Sequence, residues 1–347
     1  ELLHEVHQLV HTLGWHGVVD GSAHAAHQAV ELLAIDSPTG YTAGAADHVM
    51  AAYRALGLAP EQTRKGGVLV CLNPEAPEDD SLLLEAHVDT LGGMVTEISA
   101  AGRLNLTNLG GMNPNNAEAE NVRIVTRSGK IYTGTFQMKN ASIHVNGDYS
   151  STKRSYDAME VVIDQEVHSR RDVEKLGIAP GDIVCFEPRT VITPSGFIKS
   201  RFLDDKLSVA ILLGLAGQVA RGEVKPKRRV WQHITVFEEV GHGGAASVPA
   251  GVTEAVSVDM GCVGEGLSCT ERQVSICAKD SVGPYSYEVV GKLIDAAKKT
   301  GADYAVDIYP HYGSDVDVTL RAGFDIRHGL IGAGVYASHG YERSHID

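Results

Sequence analysis

No apolar run in this 347-residue chain approaches the roughly 18 residues that a membrane-spanning helix requires. Basic charge is also short. With 30 basic against 44 acidic residues the formal charge is −14, whereas a nucleic-acid binder normally needs a basic face to displace counterions from phosphates. Nucleic acid is therefore disfavoured and not expected as a partner, and an anionic membrane surface is disfavoured on the same ground. Cysteine is sparse: Cys71, Cys185, Cys262, Cys269 and Cys277 form an odd, scattered set without CxxC spacing. They suggest neither a disulfide framework nor a thiolate zinc site. The residues Glu1 to Glu5 show neither a basic nor a continuous apolar region, so no signal peptide is expected. A reducing, cytoplasmic setting is the corresponding expectation. Internal repeats and low-complexity segments are missing too.

What is present reads as an α/β protein. Leu2, Leu3, Val6, Leu9, Val10 and Leu13 recur at helical spacing, and a second helix is expected from Ala43 to Leu56. Between them, Asp36-Ser37-Pro38-Thr39-Gly40 reads as a loop. Strands follow at 67–71 and 81–87, the second nearly all apolar, as suits an inner strand covered on both faces. From Met94 to Lys199 the texture changes to short β segments (122–126, 130–136, 158–164, 182–187 and 190–192) separated by Gly, Asn and Pro turns, with one helix near 169–176. Alternation then resumes: helix 206–221, strand 229–237, helix 244–247, strand 255–259 and helix 287–299. Such alternation implies a mainly parallel sheet. The domains expected are one discontinuous α/β domain, 1–94 and 200–347, interrupted by a β insertion, 95–199.

The polar residues that close these strands carry the chemistry. His87-Val88-Asp89 ends one strand, Glu238-Glu239 another, and Asp259 a third. Asp204-Asp205 precedes a helix, and His339 follows the apolar run 330–336. In an open α/β sheet, ligands bind at the carboxyl edge of the strands, so residues far apart in sequence can converge there. Mixed imidazole and carboxylate donors with one bridging carboxylate suit a pair of ions roughly 3.5–4 Å apart, and zinc, cobalt or manganese better than calcium or magnesium. Asp89 stands where it can orient the His87 ring. Of two adjacent glutamates, one can bind metal while the other takes the proton of an activated water. That is the chemistry of amide hydrolysis.

With these motifs in view, the chain resembles the dinuclear-metal aminopeptidases that assemble into tetrahedral dodecamers, the family of glutamyl and deblocking aminopeptidases once labelled endoglucanase M. The matching text is Glu85-Ala86-His87-Val88-Asp89-Thr90-Leu91-Gly92, Phe202-Leu203-Asp204-Asp205-Lys206, Val236-Phe237-Glu238-Glu239-Val240-Gly241 and Val258-Asp259. Lys279 to Tyr285 and Gly313-Ser314-Asp315 support it. The resemblance implies a phosphorylase/hydrolase-like catalytic domain with a mixed, mainly parallel sheet and a small inserted β-barrel-like domain used in oligomer contacts. It also implies two divalent ions, zinc first. Asp204 would bridge them; Glu239 and His339 would complete one site, and His87 with Asp259 the other. Glu238 would be the general base and Asp89 would orient His87. The substrate implied is a short peptide or small amide, and the assembly a homo-oligomeric dodecamer. Two departures stand out. Lys206 replaces the usual Arg, and the ending Ala337-Ser338-His339-Gly340-Tyr341-Glu342-Arg343-Ser344-His345 differs from the usual aromatic-x-His-Ser/Thr, which makes His345 a rival to His339.

Blander readings accompany these. His4, His7 and His11 share a helical face, as do His24 and His27, and without a pattern of carboxylate partners they read as exposed or packing residues. His242 is a pocket residue or a turn residue, and His311 and His328 flank Gly313-Ser314-Asp315. Gly241 to Ala246 matches G-x-G-x-x-A after a strand, but Glu238 and Glu239 directly before it would repel a pyrophosphate. Three rival functions arise. The first is a dedicated small-amide hydrolase or deacylase, because the 338–343 ending resembles a branch tied to synthesis of an acetylated dipeptide osmolyte. The second is a non-catalytic scaffold. The third is a glycosidase, whose opposed carboxylates leave the histidines unexplained.

Overall fold

A computed structural model of the chain describes residues 27–346. The helix expected over 2–13 lies outside them, as do His4, His7, His11 and His24. Contacts divide the chain into two compact units, Thr90–Pro188 and the sequence on either side of it.

The larger unit is built on a mixed sheet with a parallel centre. Its strand order is Glu61–Gln62, Val68–Cys71, Val230–Thr235, Ser81–His87, Val252–Val258, Arg327–Tyr336, Glu342–His345, Phe197–Ser200 and Val191–Ile192. The four strands from Val230–Thr235 to Arg327–Tyr336 run parallel. Every residue of Ser81–His87 is buried, which is why its centre, Leu82 to Leu84, is a continuous apolar run rather than an alternating one. Helix Leu203–Ala220 is apolar on nearly all sides and correspondingly buried. Helix Tyr287–Thr300 carries one apolar stripe, through Val289, Val290, Leu293, Ala296 and Ala297, and stops at Gly301 in the left-handed conformation. Because the central strands are parallel, His87 lies level with Thr235 and Val258 level with Ile331. All their carboxyl ends therefore open on one edge of the sheet.

The smaller unit is a closed six-stranded barrel, in the order Gly92–Ile98, Leu104–Leu109, Met159–Ile163, Ile131–Met138, Glu120–Val125 and Ile183–Phe186. Phe136 packs edge-on against Phe186 inside it, with ring centroids 5.5 Å apart. The first two barrel strands carry Gly-Gly and Asn-Leu-Thr-Asn text, which obscures their alternation. The unit ends earlier on both sides than the expected 95–199. Val191–Ile192 and Phe197–Ser200 form a hairpin that pairs with Glu342–His345 of the main sheet, a partner almost 150 positions downstream that no local pattern indicates. The helix expected at 244–247 is instead a single 3-10 turn, Gly243–Ala245. Glycine is a poor helix former, and Ser247 has left the helical region at φ +69°.

Candidate metal centre

The five predicted ligands meet at the carboxyl edge of the parallel strands. His87 is the last residue of Ser81–His87. Glu238 and Glu239 open a 3-10 turn beyond Val230–Thr235, Asp259 follows Val252–Val258, and His339 lies in the turn after Arg327–Tyr336. Asp204 comes from the start of helix Leu203–Ala220, where the backbone has left helical geometry.

Asp204 occupies the middle. Its Oδ1 is 3.1 Å from His87 Nε2 and its Oδ2 is 3.4 Å from His339 Nε2. His339 Nε2 in turn lies 3.6 Å from Glu239 Oε2. Two groups of donor atoms result, His87 with Asp204 and Asp259, and Asp204 with Glu239 and His339, each with its atoms within 4.8 Å of one another. Asp204 belongs to both. Glu238 Oε2 stands 3.6 Å from His87 Nε2. His345, the rival ligand, is elsewhere. Its Nε2 lies 2.7 Å from Arg272 Nη2 and 2.8 Å from the Ser195 carbonyl oxygen, and its ring packs edge-on against Phe197.

The donor set fits a divalent cation. Glu239 Oε1 is buried and makes no hydrogen bond, an arrangement that costs on the order of 1–3 kcal/mol unless something occupies that lone pair. Asp204, Asp205, Glu238, Glu239 and Asp259 crowd together out of solvent. Burial pushes the carboxyls of Glu238 and Glu239 well above the usual range, and like charges nearby add to it. The same causes, burial first and then Asp204, push Asp259 up to about 7. Burial works to lower His87, yet Glu238 and Asp204 hold it well above its ordinary value. Against the same opposing burial, Asp204 and Glu239 raise His339 to about 9. Imidazoles and carboxylates in such surroundings favour zinc-like ions over calcium or magnesium.

The surroundings hold each ligand in place. His87 Nδ1 donates to the Asp89 main-chain oxygen at 2.9 Å, whereas the Asp89 carboxylate is 3.6 Å away. The main chain of Asp89 thus fixes the ring. Its carboxylate turns to the glutamate turn, accepting from Glu238 N at 3.2 Å and Glu239 N at 3.4 Å, and from Thr39 Oγ1 at 2.7 Å. Asp205 Oδ2 accepts from His87 N at 3.2 Å. Lys206 donates from Nζ to the carbonyls of Leu32 and Ile35, so it ties the helix start to the preceding segment.

Sequence reasoning missed several contributors. Asp315 Oδ1 accepts from Gly244 N at 2.6 Å and its Oδ2 from Thr235 Oγ1 at 2.5 Å, while Lys65 Nζ donates to the carbonyls of His242 and Gly243. The turn bearing Glu238 and Glu239 is therefore held from both sides. A Cβ on Gly243 would stand 2.3 Å from Asp315 Oδ1, which accounts for the glycines in the G-x-G-x-x-A match without a nucleotide. His242 is exposed and stacks on Phe237 at 4.7 Å. His328 packs on Tyr285 at 5.0 Å and lies 3.7 Å from Asp317, and His311 is exposed. His27 does have a carboxylate near it, Glu31 at 3.6 Å, one helical turn on.

Residues 66–347 match the family model of M42 glutamyl aminopeptidases. The chain belongs to that family. It is accordingly a peptidase-type hydrolase with aminopeptidase relatives. It is 44% identical over 91% of both chains to YhfE of Bacillus subtilis, a protein assigned provisionally to the aminopeptidases. It is 26% identical to the glutamyl aminopeptidase of Lactococcus lactis, over 62% of this chain and 59% of that one. An aminopeptidase of Desulfurococcus kamchatkensis shares the fold with a TM-score of 0.83 at 20% identity, over 94% of this chain and 91% of that one. The TET1 peptidase of Pyrococcus horikoshii, described as assembling into a tetrahedron or a large octahedral shell, does so at 0.80 and 20%, over 93% and 94%.

Proposed function

We propose that this M42 member is a two-metal aminopeptidase acting on short peptides. His87, Asp204 and Asp259 would hold one ion, Asp204, Glu239 and His339 the other, and Asp204 would bridge. The observation that carries the reading is the pair of three-residue donor groups sharing one carboxylate. When bound, divalent ions supply Lewis acidity toward the scissile carbonyl and bring the pKa of water to about 7. Glu238 accepts the proton of the attacking water at Oε2 and returns it to the departing amine, so water is consumed and one acid and one amine are formed. Asp89 keeps Glu238 in reach through the main-chain N–H groups it binds, and it positions His87 through its carbonyl.

Zinc is the ion proposed first, with cobalt or manganese able to use the same donors. A cytoplasmic setting and a homo-oligomer, dodecameric by analogy with the tetrahedral TET1 assembly, complete the reading, with the barrel unit supplying oligomer contacts. No helix among the described residues is long and apolar enough to cross a membrane.

Elemental analysis of purified protein should give two ions per chain, and a chelator should abolish peptide hydrolysis. Glu238→Gln should keep both ions and lose about 10²–10⁴-fold in kcat; an unchanged rate would sink the assignment of the base. A dedicated small-amide hydrolase is the second reading. It rests on the 338–343 ending of the sequence, Ser338-His339-Gly340-Tyr341-Glu342-Arg343. Comparing free with N-acetylated dipeptides separates the two, since an aminopeptidase requires the free amine.

A further inference from the structure

One buried carboxylate outside the five ligands touches two of them. Glu342 opens the strand Glu342–His345, level with Ser200 on the neighbouring strand, and only 2% of its surface is exposed. Its Oε2 accepts from Asp204 N at 3.0 Å and its Oε1 from His339 N at 2.9 Å. Both oxygens are thus engaged by main-chain N–H groups of residues 135 positions apart in sequence, and each of those residues points its side chain into the cage. A carboxylate is rigid and planar, so a bidentate bridge of this kind fixes the separation of the two backbones as well as anchoring each.

The need for such a brace is clearest at His339. Its φ is +60°, and that of Ala337 is +61°. The left-handed region costs a residue with a Cβ of order 1–3 kcal/mol unless the surroundings enforce it. The turn itself contributes one main-chain bond, Gly340 N to the Ala337 carbonyl at 3.0 Å. Asp204 also has a whole helix behind it, whereas His339 is carried by a short turn between two strands and keeps 42% of its side chain exposed. The two ends of the bridge are therefore unequal, and the His339 end depends on it more.

We propose that Glu342 is a positioning residue that sets the distance between the bridging Asp204 and His339. By doing so it governs retention of the ion at the Asp204, Glu239 and His339 group more than at the His87, Asp204 and Asp259 group. The proposal rests on the metal reading given above, and its test is arranged so that the two fail separately. Glu342→Gln keeps the shape but sets an NH₂ against one of the two main-chain N–H groups. Glu342→Asp keeps the charge and withdraws it by one methylene.

Zinc binding to the metal-stripped chain is titrated by calorimetry in wild type, both variants, His339→Ala and Glu271→Gln. Glu271 pairs with Arg343 in the same terminal strand at 3.4 Å and does not touch the cage. The zinc equivalent that His339→Ala abolishes should lose affinity about 10- to 100-fold in the Glu342 variants. The other should change far less, and Glu271→Gln should titrate as wild type. Should Glu342→Gln fail to fold, Glu342→Asp carries the comparison. Equal weakening of both equivalents, or a loss matched by Glu271→Gln, would overturn the proposal and leave Glu342 a strand-end residue. Unchanged binding in the variants sinks it too. A wild-type chain that binds no zinc sinks the metal reading itself.

Discussion

Four of the five predicted ligands, His87, Asp204, Glu239 and His339, are held by neighbours that the one-dimensional pattern conceals. Asp89 is the clearest case. The His-x-Asp spacing suggests a carboxylate orienting an imidazole, but the shorter contact is from the ring to the Asp89 carbonyl, and the carboxylate is committed to Glu238 and Glu239. It is likewise the His339 ring that lies against Asp204, while the His345 ring packs on Phe197 and meets Arg272 and Ser195. His339→Ala should therefore lower bound zinc to about one ion per chain. His345→Ala should leave metal content unchanged and cost stability, since the ring is buried against Phe197; elemental analysis with thermal melts reads both. Away from the ligands, Asp317 and Asp280 converge on Tyr285 Oη at 3.4 and 2.7 Å. Burial, with Asp280 beside it, pushes Asp317 up to about 7. Its folded-state pKa exceeds the unfolded one of about 3.9, so the folded chain binds the proton more tightly. The stability this contributes is full below pH 4 and is lost as pH rises through 7. Asp317→Asn should flatten that decline, and the difference in melting temperature between variant and wild type should change from about pH 4 to pH 7 and level off above it.

Among the elements, the turn after Val230–Thr235 matters most, because it presents both glutamates. It is fastened by Asp89 at its start, and by Lys65 and Asp315 at its end. Helix Asp315–Arg321 contributes through its first residue, with Ser314 and Asp317 forming a capping box that sets where the helix begins. Thr319 Oγ1 then reaches Gly244 O and the buried Glu85. A Cβ on Gly244 would lie 2.4 Å from the Asp315 carbonyl oxygen and 2.6 Å from Thr319 Oγ1. Gly244→Ala should accordingly destabilise by about 1–3 kcal/mol and lower kcat by displacing the glutamate turn, measured by denaturant unfolding and steady-state kinetics. A variant with wild-type kinetics would show that the turn does not depend on this packing. The 313–315 motif was visible as text, but its role was not, because that role is a contact between a helix start and a glycine some seventy residues earlier.

At the scale of the whole molecule, two compact units divide the labour of packing, each with its own core. The cage lies in the larger unit, where ion binding adds stability only to the folded state. At a hundred times the dissociation constant that contribution is about 2.7 kcal/mol. Calorimetry with and without a chelator should show one transition falling and one unmoved; a common shift would show that the units melt together. The α/β class, the β insertion and the positions of polar residues at strand ends and at one helix start were legible in the sequence. Strand periodicity, the apolar inner strand and the switch from helix to turn texture are local properties of the chain, written within a few residues of one another. Tertiary structure alone decided that Val191–Ile192 and Phe197–Ser200 belong to the main sheet, that His339 and not His345 faces Asp204, and that Glu342 and Asp315 brace the cage. Each of those is a pairing across scores of residues, set by which strands lie side by side and by where buried N–H groups find an acceptor, and neither is encoded in any single stretch of chain.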